Sequence, residues 1–341
     1  MEFFSAIALF SLKVFVIIAA IAILTLIILM LIQKGQQFKP LLDIENLNDH
    51  YDQLEQTLKS QVLNKKDLKK QNKIWEEAQK KWDQETRKKV FVLDFKGDIK
   101  AHAAETLREE VTALLTLATS TDEIVVRVES PGGVVHGYGF CASQLQRIKS
   151  AGIPLTICID KVAASGGYMM AVVADKVMAA PFAIVGSIGV VAQVPNFHRI
   201  LKKYDVDYKE YTAGEFKRTV SILGEITPDG ENKFKSQLED THTLFKNHIL
   251  QFRPHLDLHK VATGEYWYGQ QAKELGLVDT ISTSDDYLVG MRRTADLIKV
   301  NVKAKKTLSE KISDAFGKAL ILFWNEASQV DIQAKIPGAK N

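Results

Sequence analysis

From residue 90 onward the chain alternates short, largely β-branched apolar runs with longer stretches of helical spacing, and few folds accept that alternation. It predicts an α/β domain beginning abruptly at Val90, after a polar segment. The pattern predicts strands over 90–95, 124–128, 154–159, 176–180 and 183–191, and helices over 103–118, 137–149, 166–174 and 229–252. No internal repeat is visible. With 341 residues and 46% apolar content the chain has material for one large core or two ordinary ones, which excludes disorder throughout.

Ahead of that domain, residues 14–32 are uncharged and almost wholly apolar, about the 20 or so residues a helix needs to cross a bilayer core. Lys13 and Lys34 bracket the run, and no small-x-small cleavage site follows it, so an uncleaved membrane anchor is expected within 1–35. The lysine excess after the run would by the positive-inside rule place the C-terminal body in the cytoplasm, but close to the span Lys34 and Lys39 are nearly balanced by Lys13 and the N-terminal amine.

Residues 36–89 read as a lysine-rich helical spacer. Leu47, Leu54, Gln61, Leu68, Trp75 and Trp82 fall seven residues apart, but the companion positions Lys65, Asn72 and Gln79 are polar, so a narrow apolar stripe on a solvated helix is expected, not a stable coiled coil. Its basic residues, Lys65, Lys66, Lys69, Lys70 and Lys73 among them, can lie against anionic headgroups. The whole-chain charge of only +3 makes no case for nucleic acid. Cys141 and Cys158 fall in apolar stretches and read as buried thiols; with no Cys-x-x-Cys or His-Glu-x-x-His motif no metal is expected, and the serine and lysine chemistry set out below needs no organic cofactor.

Three small motifs carry chemistry. Ser165 lies between two alanines and two glycines where a strand and loop turn into a helix, whose N-terminus offers free N–H groups and the positive end of a dipole. Its bland alternative is a helix N-cap. Lys217, in Gly214-Glu-Phe-Lys217, is followed by Thr219, Val220, Ile222 and Leu223, an apolar setting. A lysine acts as a base only when desolvation pulls its pKa down from about 10.4. Gly132 and Gly133 permit backbone geometries closed to other residues, so their N–H groups, with that of Gly166, suit a developing oxyanion. A nucleophile, a base and backbone donors together describe acyl transfer. Ser187, in Gly186-Ser-Ile-Gly189, is a second small-residue serine, read as a turn walling the site because a strand follows it. His136 is the best placed histidine and reads as a helix-start or surface residue; no Gly-x-Ser-x-Gly triad motif is present.

Taken in order, Glu129-Ser-Pro-Gly-Gly-Val-Val-His-Gly-Tyr-Gly139, Asp160-Lys-Val-Ala-Ala-Ser-Gly-Gly-Tyr-Met-Met170, Gly186-Ser-Ile-Gly189, Gly214-Glu-Phe-Lys217 and Gly269-Gln-Gln-Ala-Lys-Glu-Leu-Gly-Leu-Val-Asp279 resemble the signal peptide peptidase A family of serine proteases, and within it the SohB-type membrane proteases. The resemblance spans almost the whole chain. It implies a core of the Clp-protease and crotonase superfamily, β-β-α units coiled into a superhelix over 90–298, with a tail over 299–341. It implies a Ser-Lys dyad of Ser165 and Lys217, an oxyanion hole drawn from Gly132, Gly133 and Gly166, and homo-oligomeric rings in which neighbouring protomers can complete a site. Peptide substrates such as remnant signal peptides, and a bacterial inner membrane location with the protease facing the periplasm, follow from it as well. Two alternatives stay open: a crotonase-type acyl-thioester enzyme, and a non-catalytic membrane scaffold that binds peptides.

Overall fold

The computed structural model describes residues 42–82 and 87–302. Among the described residues, those from Ile44 onward form one compact unit. The expected span at 14–32 and the tail beyond 302 lie outside the described residues, among which no helix is long and apolar enough to cross a membrane. In chain order the first elements are β1 (Leu42–Asn46), α1 (Leu47–Val62), α2 (Lys65–Trp82), β2 (Lys88–Lys96), α3 (Ala104–Leu114), β3 (Glu123–Glu129), α4 (Val135–Ser150), β4 (Leu155–Ile159), β5 (Val162–Ala164) and α5 (Gly166–Ala171). They are followed by β6 (Lys176–Ala179), β7 (Ile184–Gly186), α6 (His198–Lys203), α7 (Pro228–Phe252), α8 (Leu258–Val261), β8 (Tyr266–Tyr268), α9 (Gly269–Glu274), β9 (Thr280–Ile281), α10 (Ser284–Met291) and β10 (Ala295–Val302).

Among the described residues seven strands share one sheet, in the order β1-β10-β2-β3-β4-β6-β9, and the pairings from β10 to β9 are all parallel. A parallel sheet is covered on both faces, so its strands are apolar on both sides. In β2, accordingly, Val90, Phe91, Val92, Leu93 and Phe95 are each 2% exposed or less. Cys141 and Cys158 are buried in this core, and burial pushes both thiols up to about 12. A second sheet joins β5 parallel to β7 and β7 antiparallel to β8. The chain steps between the two sheets repeatedly: β4 leads to β5 and then α5, and β6 leads to β7. After β3, Ser130 makes a single parallel bridge to Ala163 before the chain enters α4. This stepping sets the turns after Ser130, Ala164 and Gly186 side by side.

Three elements differ from the sequence expectation. The predicted single spacer helix breaks at Leu63 and Asn64, and its beginning is docked instead of solvated. Asn46 caps α1 through Asn48 N–H and Asp49 N–H, Leu47 is 6% exposed within the core, and the Asn48 amide donates to Arg292 O and Ala295 O while accepting from Leu297 N–H. Glu55 extends the contact to Arg292 and Arg293. The tail does not start at 299, because β10 runs on to Val302 between β1 and β2, with Val300 3% exposed. The strand expected over 183–191 stops at Gly186, because Gly186 (φ 100°) and Ser187 (φ 51°) turn the backbone through the left-handed region.

Where β10 ends, Glu110 of α3 accepts the Val302 N–H at 3.1 Å while only 3% exposed. Burial, with the Asp94 carboxylate adding to it, pushes the Glu110 carboxyl from its ordinary 4.5 up to about 7. The folded chain therefore keeps this proton where the unfolded chain has lost it, a contribution complete below pH 4.5 and lost as pH rises through about 7. Glu110→Gln keeps an acceptor for Val302 and removes the charge. It should stabilise the protein by about 1–2 kcal/mol at pH 8.5 and leave it unchanged near pH 4, as read by urea unfolding at the two pH values.

Candidate active site

Ser165 stands at the junction of β5 and α5 with its backbone at φ 50°, ψ −116°. Residues other than glycine rarely occupy that region, and doing so costs of order 1–3 kcal/mol. Two hydrogen bonds over-determine it: Ser165 N–H donates to Gly186 O at 2.7 Å, and Ser165 O accepts from Met169 N–H at 2.9 Å. A capping serine has extended backbone and gives its oxygen to an N–H of the first turn. Ser165 does neither, and its Oγ makes no hydrogen bond among the described residues. The order of strand, strained turn and helix makes a sharp elbow at Ser165, although the sequence lacks the Gly-x-Ser-x-Gly spelling. Below it α5 is fixed by Tyr168, fully buried, whose hydroxyl donates to Leu277 O at 2.9 Å.

The glycine turn packs directly on that elbow. Gly132 sits at φ 88°, and a Cβ there would lie 2.7 Å from Ser165 Cβ and 2.8 Å from Gly166 N. A Cβ on Gly133 would overlap the Ile99 carbonyl, and one on Gly166 the Tyr138 ring. All three positions therefore require glycine, Gly132 and Gly133 for the close approach of backbones and Gly166 for that of the Tyr138 side chain. Their N–H groups differ in use: that of Gly132 donates to Ser130 Oγ at 3.0 Å, whereas those of Gly133 and Gly166 have no hydrogen bond among the described residues.

Ser165 and these glycines line an open cleft of about 1160 Å³, walled opposite by Ser187 and Gly189 and by the side of α7 carrying Phe245 and His248. Thr227 caps α7 through Gly230 N–H, Pro228 follows in its first turn, and Arg253 at its end grips Asp279 with two bonds of 2.7 and 2.8 Å. His248 Nε2 lies 2.9 Å from Met169 O, and burial pushes the imidazole's pKa down, so the neutral ring donates there. His242, on the same wall, has Nε2 buried with no partner among the described residues. No sequence motif marks either histidine; the signal that could find them is their recurrence with Phe245 and Ile249 along one face of a long amphipathic helix. His136 is exposed in the first turn of α4, as expected.

Lys217 is not brought to Ser165 within the single chain. It is exposed, closes a turn by donating its N–H to Gly214 O at 3.2 Å, and is not among the residues lining the cleft. The apolar shelter expected from its neighbours is incomplete, since Phe216 is 44% and Ile222 50% exposed.

Two family models match in tandem: residues 2–145 that of the peptidase family S49 N-terminal region, and residues 147–298 that of peptidase family S49. The probable protease SohB of Haemophilus influenzae is 59% identical over 222 residues, 65% of this chain and 63% of that protein. The probable protease SohB of Buchnera aphidicola subsp. Schlechtendalia chinensis is 42% identical over 303 residues, 85% of this chain and 99% of that one. Among solved structures, a mutant of the 1510-N membrane-bound stomatin-specific protease aligns at a TM-score of 0.37 and 14% identity over 68% of this chain and 99% of that one, a likeness too slight to add to the fold. The tandem match and the near-complete correspondence with a relative establish that this chain belongs to peptidase family S49, as a serine peptidase of the SohB type.

Proposed function

We propose that the chain is a membrane-anchored serine endopeptidase in which Ser165 is the nucleophile and Lys217, delivered from a neighbouring copy, is the general base. The observation that carries this reading is the strained, uncapped Ser165 at the floor of the cleft, beside unbonded backbone N–H groups. As Oγ attacks the scissile carbonyl carbon, its proton passes to an uncharged lysine Nζ and the carbonyl oxygen becomes an oxyanion facing those N–H groups. The lysine then protonates the departing amine, leaving an ester on Ser165. Water enters, gives a proton to the lysine and attacks the ester, releasing the acid and restoring the hydroxyl.

The exposure of Lys217 supports assembly as part of this mechanism. In the stretch of chain leading to it, Val191, Tyr204 and Tyr211 are 81%, 70% and 89% exposed, bare apolar side chains that suit contact with a second copy. The apolar cleft wall, with Val134, Val190, Leu244 and Phe245, suits remnant signal peptides or other membrane-derived segments. The repeated β-β-α stepping supports the Clp-protease and crotonase superhelix, and residues 14–32 would anchor the chain in a bacterial inner membrane with its body in the periplasm. Family membership disfavours the thioester and scaffold alternatives. The test is complementation: Ser165→Ala and Lys217→Ala chains, each inactive alone, are dissociated, mixed and reassembled. Base delivery between copies predicts recovery of about one quarter of wild-type activity on equal mixing; no recovery in a verified mixed assembly rejects delivery in trans.

A further inference from the structure

The polar chain beneath the glycine turn has a single direction. Tyr138 donates its hydroxyl proton to Asp98 O at 2.9 Å, so in the 2.5 Å contact between Ser130 Oγ and Tyr138 Oη the proton comes from Ser130. Ser130 Oγ is then left to accept the Gly132 N–H at 3.0 Å. Ser130 and Tyr138 are both 0% exposed, so no water competes for these bonds, and each hydroxyl polarises the next. Burial also keeps the Tyr138 phenol protonated by pushing its pKa up. The same side chain supports the other half of the site: its ring lies beneath Gly166, where a Cβ would come within 2.7 Å of Tyr138 Cβ and Cδ2.

On the reading that Ser165 is the nucleophile, we propose that Ser130 and Tyr138 are positioning residues of the oxyanion site, which engage the Gly132 N–H and thereby make Gly133 and Gly166 its two donors, held at fixed separation by the one tyrosine. Ser130 orients the turn through Gly132, and Tyr138 couples that turn to the start of α5. Neither touches substrate. Their effect is on the tetrahedral intermediate and not on binding of the extended peptide.

The experiment compares Tyr138→Phe, which keeps the ring beneath Gly166, and Ser130→Ala with the wild type in the full assembled chain. Rates are referred to sites titrated with a fluorophosphonate, so loss of folded protein does not enter. Each variant should lower kcat about 10- to 100-fold with KM within about twofold, since a small displacement of a donor carries that penalty. A peptide boronate, whose adduct on serine places an oxygen in the same site, should weaken by the same factor as kcat/KM. Wild-type kcat/KM in both variants, or a fall in kcat with boronate affinity unchanged, overturns the proposal. Failure of the underlying reading looks different: the wild type itself would form no boronate adduct on Ser165.

Discussion

Replacing Ser165 with alanine should abolish peptide cleavage, lowering kcat by of order 10⁵–10⁶-fold, without loosening the fold. The side chain makes no hydrogen bond among the described residues, so its removal breaks nothing, while both backbone bonds that hold the strained turn remain. Ser165→Gly should be equally inactive yet more stable, by about 1 kcal/mol, because glycine occupies φ 50° without the steric penalty of a Cβ. Turnover of a fluorogenic peptide and thermal unfolding, measured on both variants, separate the two effects. Equal stability of the alanine and glycine forms would mean that the turn is unstrained; residual activity in either would mean that another group attacks.

Gly166→Ala should damage both fold and activity. The position is buried, its added methyl would overlap the Tyr138 ring, and that ring is itself pinned through Ser130 and Asp98. Overpacking at a site that cannot yield costs typically about 1–3 kcal/mol, and here relief requires moving one of the two proposed oxyanion donors. We expect a loss of about 3 kcal/mol and at least 10²-fold in kcat, read by urea unfolding and by steady-state kinetics. Gly290 in α10 is the control, because a Cβ there meets nothing within 4 Å. Gly290→Ala should leave activity intact and add about 0.5–1 kcal/mol of stability.

How far the sequence could be read depends on how local the deciding interactions are. Strands β2, β3 and β4 were legible because a parallel sheet buried on both faces demands unbroken apolar runs, and α7 because its amphipathic period runs for seven turns. Strand β10 was not, since its place is decided by pairing with β2 some two hundred residues earlier, Ala295 opposite Lys88, and no local pattern marks that partner. The docking of α1 was hidden for the same reason: Asn48 reads as an ordinary polar helix residue until the backbone of Arg292, Ala295 and Leu297 is set beside it.

The site follows the same division. Small residues around Ser165 and the paired glycines mark the places where backbones meet, so the elbow and the turn were both visible. The difference between Gly132 and Gly133 was not, because it rests on the Ser130 hydroxyl and, through it, on Tyr138. Lys217 has an apolar sequence neighbourhood, but sequence proximity does not bury a side chain, and its turn stands exposed in the single chain.

Treatment of the detergent-solubilised, peptide-cleaving assembly with a fluorophosphonate probe, with the adduct located by mass spectrometry, asks directly which serine attacks. Catalysis by Ser165 and Lys217 predicts one adduct, on Ser165, absent from Ser165→Ala and formed much more slowly in Lys217→Ala. An adduct on Ser187 or another serine, or unimpaired cleavage with Ser165 unmodified, would contradict it.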